Sequence, residues 1–473
     1  MPTPASADRP NVLLIVADHA NAESLAPGSP CLKPNLDRLA AEGVRFHRCR
    51  TPNAICSPAR ASLMTGLFPS THGIWDCTHT QRRGWVDLAP GEFPFFSERL
   101  AEAGYRTGYF GKWHVESSER LDRFGWAEYD TAVHHWRGAL EEGHSFVLRT
   151  PGYPDHRLWG VMADDETRPP PPHPAFEKGI EFIRRAAAGG GAPFCCVIST
   201  SEPHDAYTPF RRFLARYDLD RVPLPPTLRN PAADKPEVVR RMQRVWRGLT
   251  DADWRRLRAS YWAVLSHLDH EVGRALDALR EAGVEDNTVV LFTSDHGDML
   301  GAHGLGTKGI GTPYEPVHNI PLIARLPGRR GGGREDRVTE ANLTDLAPTL
   351  LDLCGARPIE GAQGRSLRPA LEGAAMEPGE NYAEFYGQRF VYSTRIVWRG
   401  DWKYIFNPGG VDELYNLAAD PHESRNRAGD PDCHDILLDL TRRMWARMKA
   451  LGDDSLLKSG YPTLRTAPIG PQG

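Results

Sequence analysis

The chain has 473 residues, with 57 basic and 61 acidic side chains for a formal net charge of −4, and it is 40% hydrophobic and 25% charged. That is the composition of a globular protein long enough for one large core and a smaller second unit. The charge balance and the lack of long like-charged blocks give no footprint for nucleic acid, and no apolar run is long enough to span a membrane.

The N-terminus, Met1 to Pro10, contains no apolar stretch of the kind a secretory leader needs, so the expected location is the cytoplasm. Asn11-Val12-Leu13-Leu14-Ile15-Val16-Ala17 is a continuous apolar run rich in branched residues, predicting a buried parallel strand. Similar runs follow at 194–199 and 288–293, with a shorter one at 321–326. Helical patterns lie between them at 36–42, 95–103 and 176–187, and the longest spans about 254–282. Segments 139–174, with its Pro169–Pro172 run, and 216–237 read as surface insertions, and 329–337 as a Gly/Arg-rich loop. Beyond about Tyr382, strands are expected at 389–399 and 402–407, then a segment at 413–417 and a last helix near 436–451. The alternation predicts an α/β fold: a large mixed, mostly parallel sheet sandwiched by helices over residues 1–380, with a small antiparallel-sheet subdomain over 381–473.

In such sheets chemistry gathers at the carboxyl ends of the strands. Three predicted strands end in acids and imidazoles: Asp18-His19, Ser201-Glu202-Pro203-His204-Asp205, and Ser294-Asp295-His296-Gly297-Asp298. One such end is ordinary turn chemistry; three together point to a site. The sharpest local pattern is Cys56-Ser57-Pro58-Ala59-Arg60, followed by Ala61 to Gly66, which can begin a helix. Pro58 suits a first helical turn, and Cys56 would then sit among unpaired N–H groups at the positive end of the dipole. The eight cysteines are scattered and form neither a disulfide framework nor a CxxC pattern, and seven read as small buried hydrophobes.

C-x-P-x-R ahead of a helix resembles the signature of the sulfatase family, in the alkaline-phosphatase-like superfamily that also contains arylsulfatases, choline sulfatases and phosphonate monoester hydrolases. The resemblance runs from Asn11 to about Asn426. It takes in 11–18, 56–73, 104–114, Pro203-His204, 293–308, 318–326, Trp402-Lys403-Tyr404 and 413–417. It implies that a formylglycine-generating enzyme oxidises Cys56 to formylglycine (3-oxoalanine), whose hydrated aldehyde is the nucleophile beside one divalent metal ion, Ca²⁺ or Mn²⁺. Asp18, Asp295, His296 and the oxidised Cys56 match its metal ligands, carboxylates being what hard cations prefer. His19 stands where many sulfatases have a second Asp; as a ligand it would move preference from Ca²⁺ toward Mn²⁺.

The same resemblance gives Asp295 a second role, accepting the nucleophile's proton. It gives Arg60 the hydrated aldehyde to hold, Lys112 and Lys308 the sulfate oxygens, and His204 the protonation of the leaving alcohol. His114, two residues from Lys112 on an expected extended segment, would take the proton from the second hydroxyl so that the sulfated intermediate collapses to aldehyde and sulfate. Asp298 and His303 match as supporting residues. Cys77 departs from relatives that often carry Asn there. The expected reaction is hydrolysis of a sulfate monoester of a small sugar, aryl or alkyl alcohol. The alternatives are a phosphonate monoester or phosphodiester hydrolase, disfavoured by Gly111-Lys112-Trp113-His114, and a non-catalytic metal- or glycan-binding relative. Trp75, Trp85, Trp113 and Trp136 are candidates to line an aromatic pocket for an aryl group or a sugar face, and Arg82-Arg83 near His79 to bind an acidic sugar; a homo-oligomer is left open.

Overall fold

The structure, a computed structural model, describes residues 9–80, 88–89, 91–136, 138–152, 154–329, 332–389, 391–457 and 467–472. Its centre is an eight-stranded sheet in the order Arg334–Asp336, Val44–Phe46, Leu322–Arg325, Thr288–Ser294, Asn11–Ala17, Phe194–Ser199, Arg106–Gly111, Glu128–Asp130. Leu322–Arg325 runs against its neighbours, and every other pairing in this sheet is parallel.

Every residue of Asn11–Ala17 is buried because alternate side chains feed two different cores. Leu13, Ile15 and Ala17 enter one cluster with Phe176 and Ile180 of helix Pro174–Ala188 and Leu265 and Leu268 of helix Asp251–Glu281. Val12, Leu14 and Val16 enter the other with Ala59 and Leu63 of Cys56–Thr65, Leu100 of Phe96–Glu102 and Leu350 of Leu346–Leu353. The 31-residue helix Asp251–Glu281 starts at a capping box in which Thr250 and Asp253 satisfy each other's backbone N–H.

One expectation needs correction. The Gly/Arg-rich stretch 329–337 is not all loop: Arg334–Asp336 forms the edge strand, paired with Val44–Phe46. Its low apolar content is what an edge permits. The expected 139–174 surface insertion carries structure of its own, and its first strand is exposed or half-buried throughout. It folds into the hairpin Leu140–Leu148/His156–Met162, bridged to the chain after Phe194–Ser199 at Trp159–Tyr207 and Met162–Phe210.

The small antiparallel sheet has four strands, Glu380–Gly387, Val391–Arg399, Trp402–Phe406 and Glu413–Asn416. Helix His434–Leu451 covers it, with Leu440, Met444 and Met448 packing on Tyr382, Val397 and Tyr404. Its first strand also props the segment before Cys56. Glu384 N–H donates to Pro52 O at 2.8 Å, Asn53 Nδ2 donates to Glu384 O at 2.7 Å, and the Glu384 carboxylate accepts from Ser70 N and Oγ at 2.7 Å each. No helix among the described residues is long and apolar enough to cross a membrane.

Candidate active site

Four adjacent parallel strands deliver the site to one sheet edge. Asn11–Ala17 leads into Asp18-His19, Thr288–Ser294 into Asp295-His296, Phe194–Ser199 into the 202–205 turn, and Arg106–Gly111 into Lys112. Lys112 N–H continues the ladder to Ser199 O at 2.9 Å. Cys56 is the first residue of helix Cys56–Thr65, behind an extended Ile55 that offers no side-chain cap. It therefore lies at the N-terminal, positive end of that helix.

The encoded Cys56 thiol is the hub. Its Sγ lies 2.9 Å from Lys308 Nζ, 3.3 Å from His296 Nε2, 3.8 Å from Asp18 Oδ1 and 3.9 Å from Lys112 Nζ. Burial opposes its ionisation, yet the Cys77 thiol, Lys112, Lys308 and His296 outweigh burial and hold Cys56 well below the usual thiol range. Asp18 is likewise held low: burial and Cys56 push it up, but Lys112, Lys308 and His204 prevail. Arg60, four residues on and one helical turn away, donates from Nε to Asp295 Oδ2 at 2.8 Å. Its Nη1 donates to Lys112 O at 3.0 Å and Ser199 Oγ at 2.7 Å. Burial alone would disfavour that charge, but Asp295 and Asp18 keep it firmly protonated.

The donor atoms of Asp18, Cys56, Asp295 and His296 all lie within 4.8 Å of one another, and all four residues are buried. His296 Nδ1 meets Gly297 O at 3.0 Å, which leaves Nε2 beside Asp18 Oδ1 at 3.5 Å and Asp295 Oδ1 at 3.6 Å. Carboxylate oxygens plus an imidazole whose other nitrogen is occupied fit a hard-to-borderline divalent cation. His19 falls into a second group, with Asp18 and His204. Its Nδ1 contacts Asp298 Oδ2 at 3.0 Å, its Nε2 abuts Lys308 Nζ and lies 3.8 Å from Asp18 Oδ1. Burial, then Lys308, His204 and His296, push its pKa down to about 3, so it is a neutral imidazole with a carboxylate behind it. Asp298, which also accepts from Tyr207 Oη at 2.6 Å, is the buttress of His19. His303 is buried against the Tyr314 ring.

The mouth is a cavity of about 340 Å³ lined by Lys112, His114, Glu119, His134, His204 and Asp205, among others. His204 Nδ1 contacts Asp205 O at 2.7 Å and Asp205 Oδ1 at 3.1 Å, and His156 Nε2 reaches Asp205 Oδ2 at 3.0 Å from the 140–162 hairpin. Burial and Lys308 lower the pKa of His204, but Asp205 and Asp18 more than reverse this and raise it. His114 is not on a regular extended segment: its φ is 54°, in the left-handed region, so Lys112 and His114 share the cavity through a bend. His114 Nε2 meets His79 Nδ1 at 2.8 Å with the rings stacked at 5.0 Å.

His79, Asp205 and His156 were given no role from sequence. Asp205 stood next to His204 in the strand-end motif, the one signal available. Trp113 and Trp136 are buried, Trp136 stacked on His267 at 4.0 Å and Trp113 edge-on to Tyr109 and tilted against Phe124, and Trp113 also lines the cavity of about 340 Å³. Trp75 is 39% exposed and stacks on Tyr386. Trp85, Arg82 and Arg83 lie outside the described residues.

A family model described as Sulfatase matches residues 10–356, and one described as N-sulphoglucosamine sulphohydrolase, C-terminal, matches 301–450. The choline-sulfatase of Rhizobium meliloti is 30% identical over 457 residues, 89% of this chain and 83% of its own length. A solved structure in complex with its substrate D-glucosamine-2-N,6-O-disulfate superposes with a TM-score of 0.74 at 22% identity, covering 94% of this chain and 99% of the other. A phosphonate monoester hydrolase of Agrobacterium radiobacter superposes at 0.72 and 24% identity, covering 95% and 96%. These two likenesses establish the fold.

Proposed function

The chain belongs to the sulfatase family and hydrolyses sulfate esters, and from that premise we propose that it acts through a formylglycine made by oxidation of Cys56, beside one divalent metal ion, on a small sulfate monoester. The observation that supports this reading is the surroundings of Cys56. A buried thiol at a helix start meets two lysines, an imidazole and a carboxylate, with Arg60 locking Asp295 alongside.

In the mature protein the Sγ position stands for an oxygen of the modified residue. Asp18, Asp295 and His296 would hold the metal with it, His19 completing the set, and the donor mixture suits Mn²⁺ or Ca²⁺. When bound, the metal supplies positive charge that acidifies the nucleophile and neutralises the ester oxygens. Lys308 and Lys112 flank the same position and hold the oxygens on which negative charge grows. Arg60 fixes the carboxylate of Asp295, which takes the nucleophile's proton. His204, its Nδ1 engaged by Asp205, keeps Nε2 to protonate the departing alcohol, and its raised pKa suits a proton donor. His114, held at Nε2 by His79, removes a proton from residue 56 when sulfate leaves.

The leaving group, a sugar, aryl or alkyl alcohol, occupies the mouth beside His204 and Asp205. A phosphonate monoester or phosphodiester substrate is the second reading, favoured by the likeness to a phosphonate monoester hydrolase fold. The test is mass analysis of the peptide carrying residue 56, joined to a panel of sulfate, phosphate and phosphonate esters. An aldehyde at 56 and preferred turnover of sulfates are expected. Preference for phosphonates would select the second reading, and full activity with an unmodified thiol would overturn the mechanism.

A further inference from the structure

The mouth of the site, about 340 Å³, is at the small end of ligand pockets, which run roughly 300–1,000 Å³. Past Lys112, His114 and His204 its wall is made by Glu119, Thr131, His134, His135, Ser201 and Asp205, and no aliphatic side chain lines it among the described residues. Trp113, the one indole or phenyl ring in that lining, is 1% exposed and offers no face to stack on. Three loops converge on this wall and are tied to one another. Thr131 Oγ1 donates to Glu119 Oε2 at 2.8 Å, His134 Nδ1–H donates to Thr131 O at 2.6 Å, and Ser201 N–H donates to His134 O at 3.0 Å. Glu119 has a φ of 51°, a left-handed conformation that is strained for a residue other than glycine and that fixes where its carboxylate stands.

A carbonyl only accepts, so His134 carries a proton on Nδ1, and burial lowers the pKa of the ring and keeps it neutral. Its Nε2 is then a lone-pair acceptor. Glu119 Oε1 is a second acceptor, Oε2 being engaged by Thr131. Two acceptors joined through Thr131 call for two O–H donors on whatever fills the mouth. A sugar ring carries hydroxyls on neighbouring carbons. An alkyl chain or a phenyl ring carries none, and would displace water from both acceptors without replacing its hydrogen bonds. We infer that Glu119 and His134 are the specificity-determining pair for hydroxyls of the substrate and, given the catalytic reading that puts the ester oxygen at His204, that the alcohol is one sugar residue rather than an aryl or alkyl group. A pocket this small encloses a single ring, and the rest of a longer saccharide would lie in solvent.

The experiment uses the full-length matured protein, with residue 56 verified by mass. Its substrates are glucose and galactose sulfated at each hydroxyl in turn, hexyl sulfate, and nitrophenyl sulfate. Hexyl sulfate releases a primary alcohol, as the hexose esters sulfated on the exocyclic carbon do, so that comparison isolates the ring hydroxyls. Nitrophenyl sulfate, whose phenol leaves unaided, reports the nucleophile alone. The best hexose sulfate should exceed hexyl sulfate in kcat/KM by about a hundredfold or more, as expected where a site is built to hydrogen-bond hydroxyls that the competitor lacks. Glu119→Ala and His134→Phe should each lower that hexose-to-hexyl ratio by about tenfold or more. A folding defect would slow all esters together and leave the ratio alone, and a circular dichroism melt checks that each variant is folded. Turnover of nitrophenyl and hexyl sulfates with no hexose preference, or a ratio unmoved in both variants, would overturn this inference and spare the catalytic reading. Failure to cleave any ester would overturn both.

Discussion

Glu384 is a carboxyl group buried where the small sheet props the segment around Cys56, and its titration should tilt the stability of the whole protein. Burial raises its pKa from 4.5 to about 7, with Arg395 and the Ser70 hydrogen bonds only partly offsetting that. Below pH 4.5 it is protonated in both folded and unfolded chains and contributes no slope. Above that, the unfolded chain ionises freely while the folded chain retains the proton. Folding stability is therefore lost by about 1.4 kcal/mol for each pH unit until the folded group itself titrates near pH 7. The whole window amounts to roughly 3 kcal/mol, a large share of a typical folding free energy. Glu384→Gln removes the titration and keeps partners for Ser70 N and Oγ, because an amide both accepts and donates. Urea unfolding of both proteins at pH 5, 6 and 7 is the assay. The stability of the variant relative to wild type should rise by about 2–3 kcal/mol from pH 5 to pH 7. Parallel pH profiles would refute the reasoning, since every other buried carboxyl cancels in the difference.

Cys56→Ala should abolish turnover with the melting temperature nearly unchanged, read by activity and circular dichroism. Asp18→Asn should lose bound metal and rate together, checked by metal analysis alongside kinetics, and retention of either one alone would contradict the proposed ligand role. His204→Ala should slow esters of poorly acidic alcohols by ~10²–10⁴ and spare esters of acidic phenols, whereas His114→Ala should slow both and accumulate covalent sulfate visible by mass spectrometry. Asp205→Asn takes away the charge that raises the pKa of His204. The alkaline limb of the rate profile for poor leaving groups should therefore move to lower pH, and an unmoved limb would remove His204 from that role.

What the sequence disclosed followed the reach of its patterns. Asn11–Ala17, Phe194–Ser199 and Thr288–Ser294 are short apolar runs whose burial on both faces is written in their own residues, so their ends, and the acids there, could be placed in advance. Cys56 and Arg60 share a helix, so their spacing fixes their relation locally. The His79–His114 contact joins residues 35 apart through loops with no periodicity. His156 reaches Asp205 only because a hairpin, invisible behind polar residues and Pro169–Pro172, turns back onto the chain after Ser199. Arg334–Asp336 has no strand-like pattern of its own and becomes a strand by pairing with Val44–Phe46. Glu380–Gly387 mixes Glu, Asn and Tyr with apolar residues, and its burial depends on the helix His434–Leu451 and on Ser70.

The hairpin Leu140–Leu148/His156–Met162 is not a member of the main sheet, yet it delivers the side chain that grips Asp205. In the proposed mechanism, the end of the site assigned to the sulfuryl group is thus welded to the rigid strands, while the end assigned to the alcohol is carried partly on an appendage. Such a division lets the two ends drift at different rates. An altered or exchanged hairpin would present a new alcohol-side wall and a new partner for Asp205, with the oxyanion machinery around residue 56 left as it stands. The hairpin is accordingly the place to graft or randomise when a different leaving group is wanted.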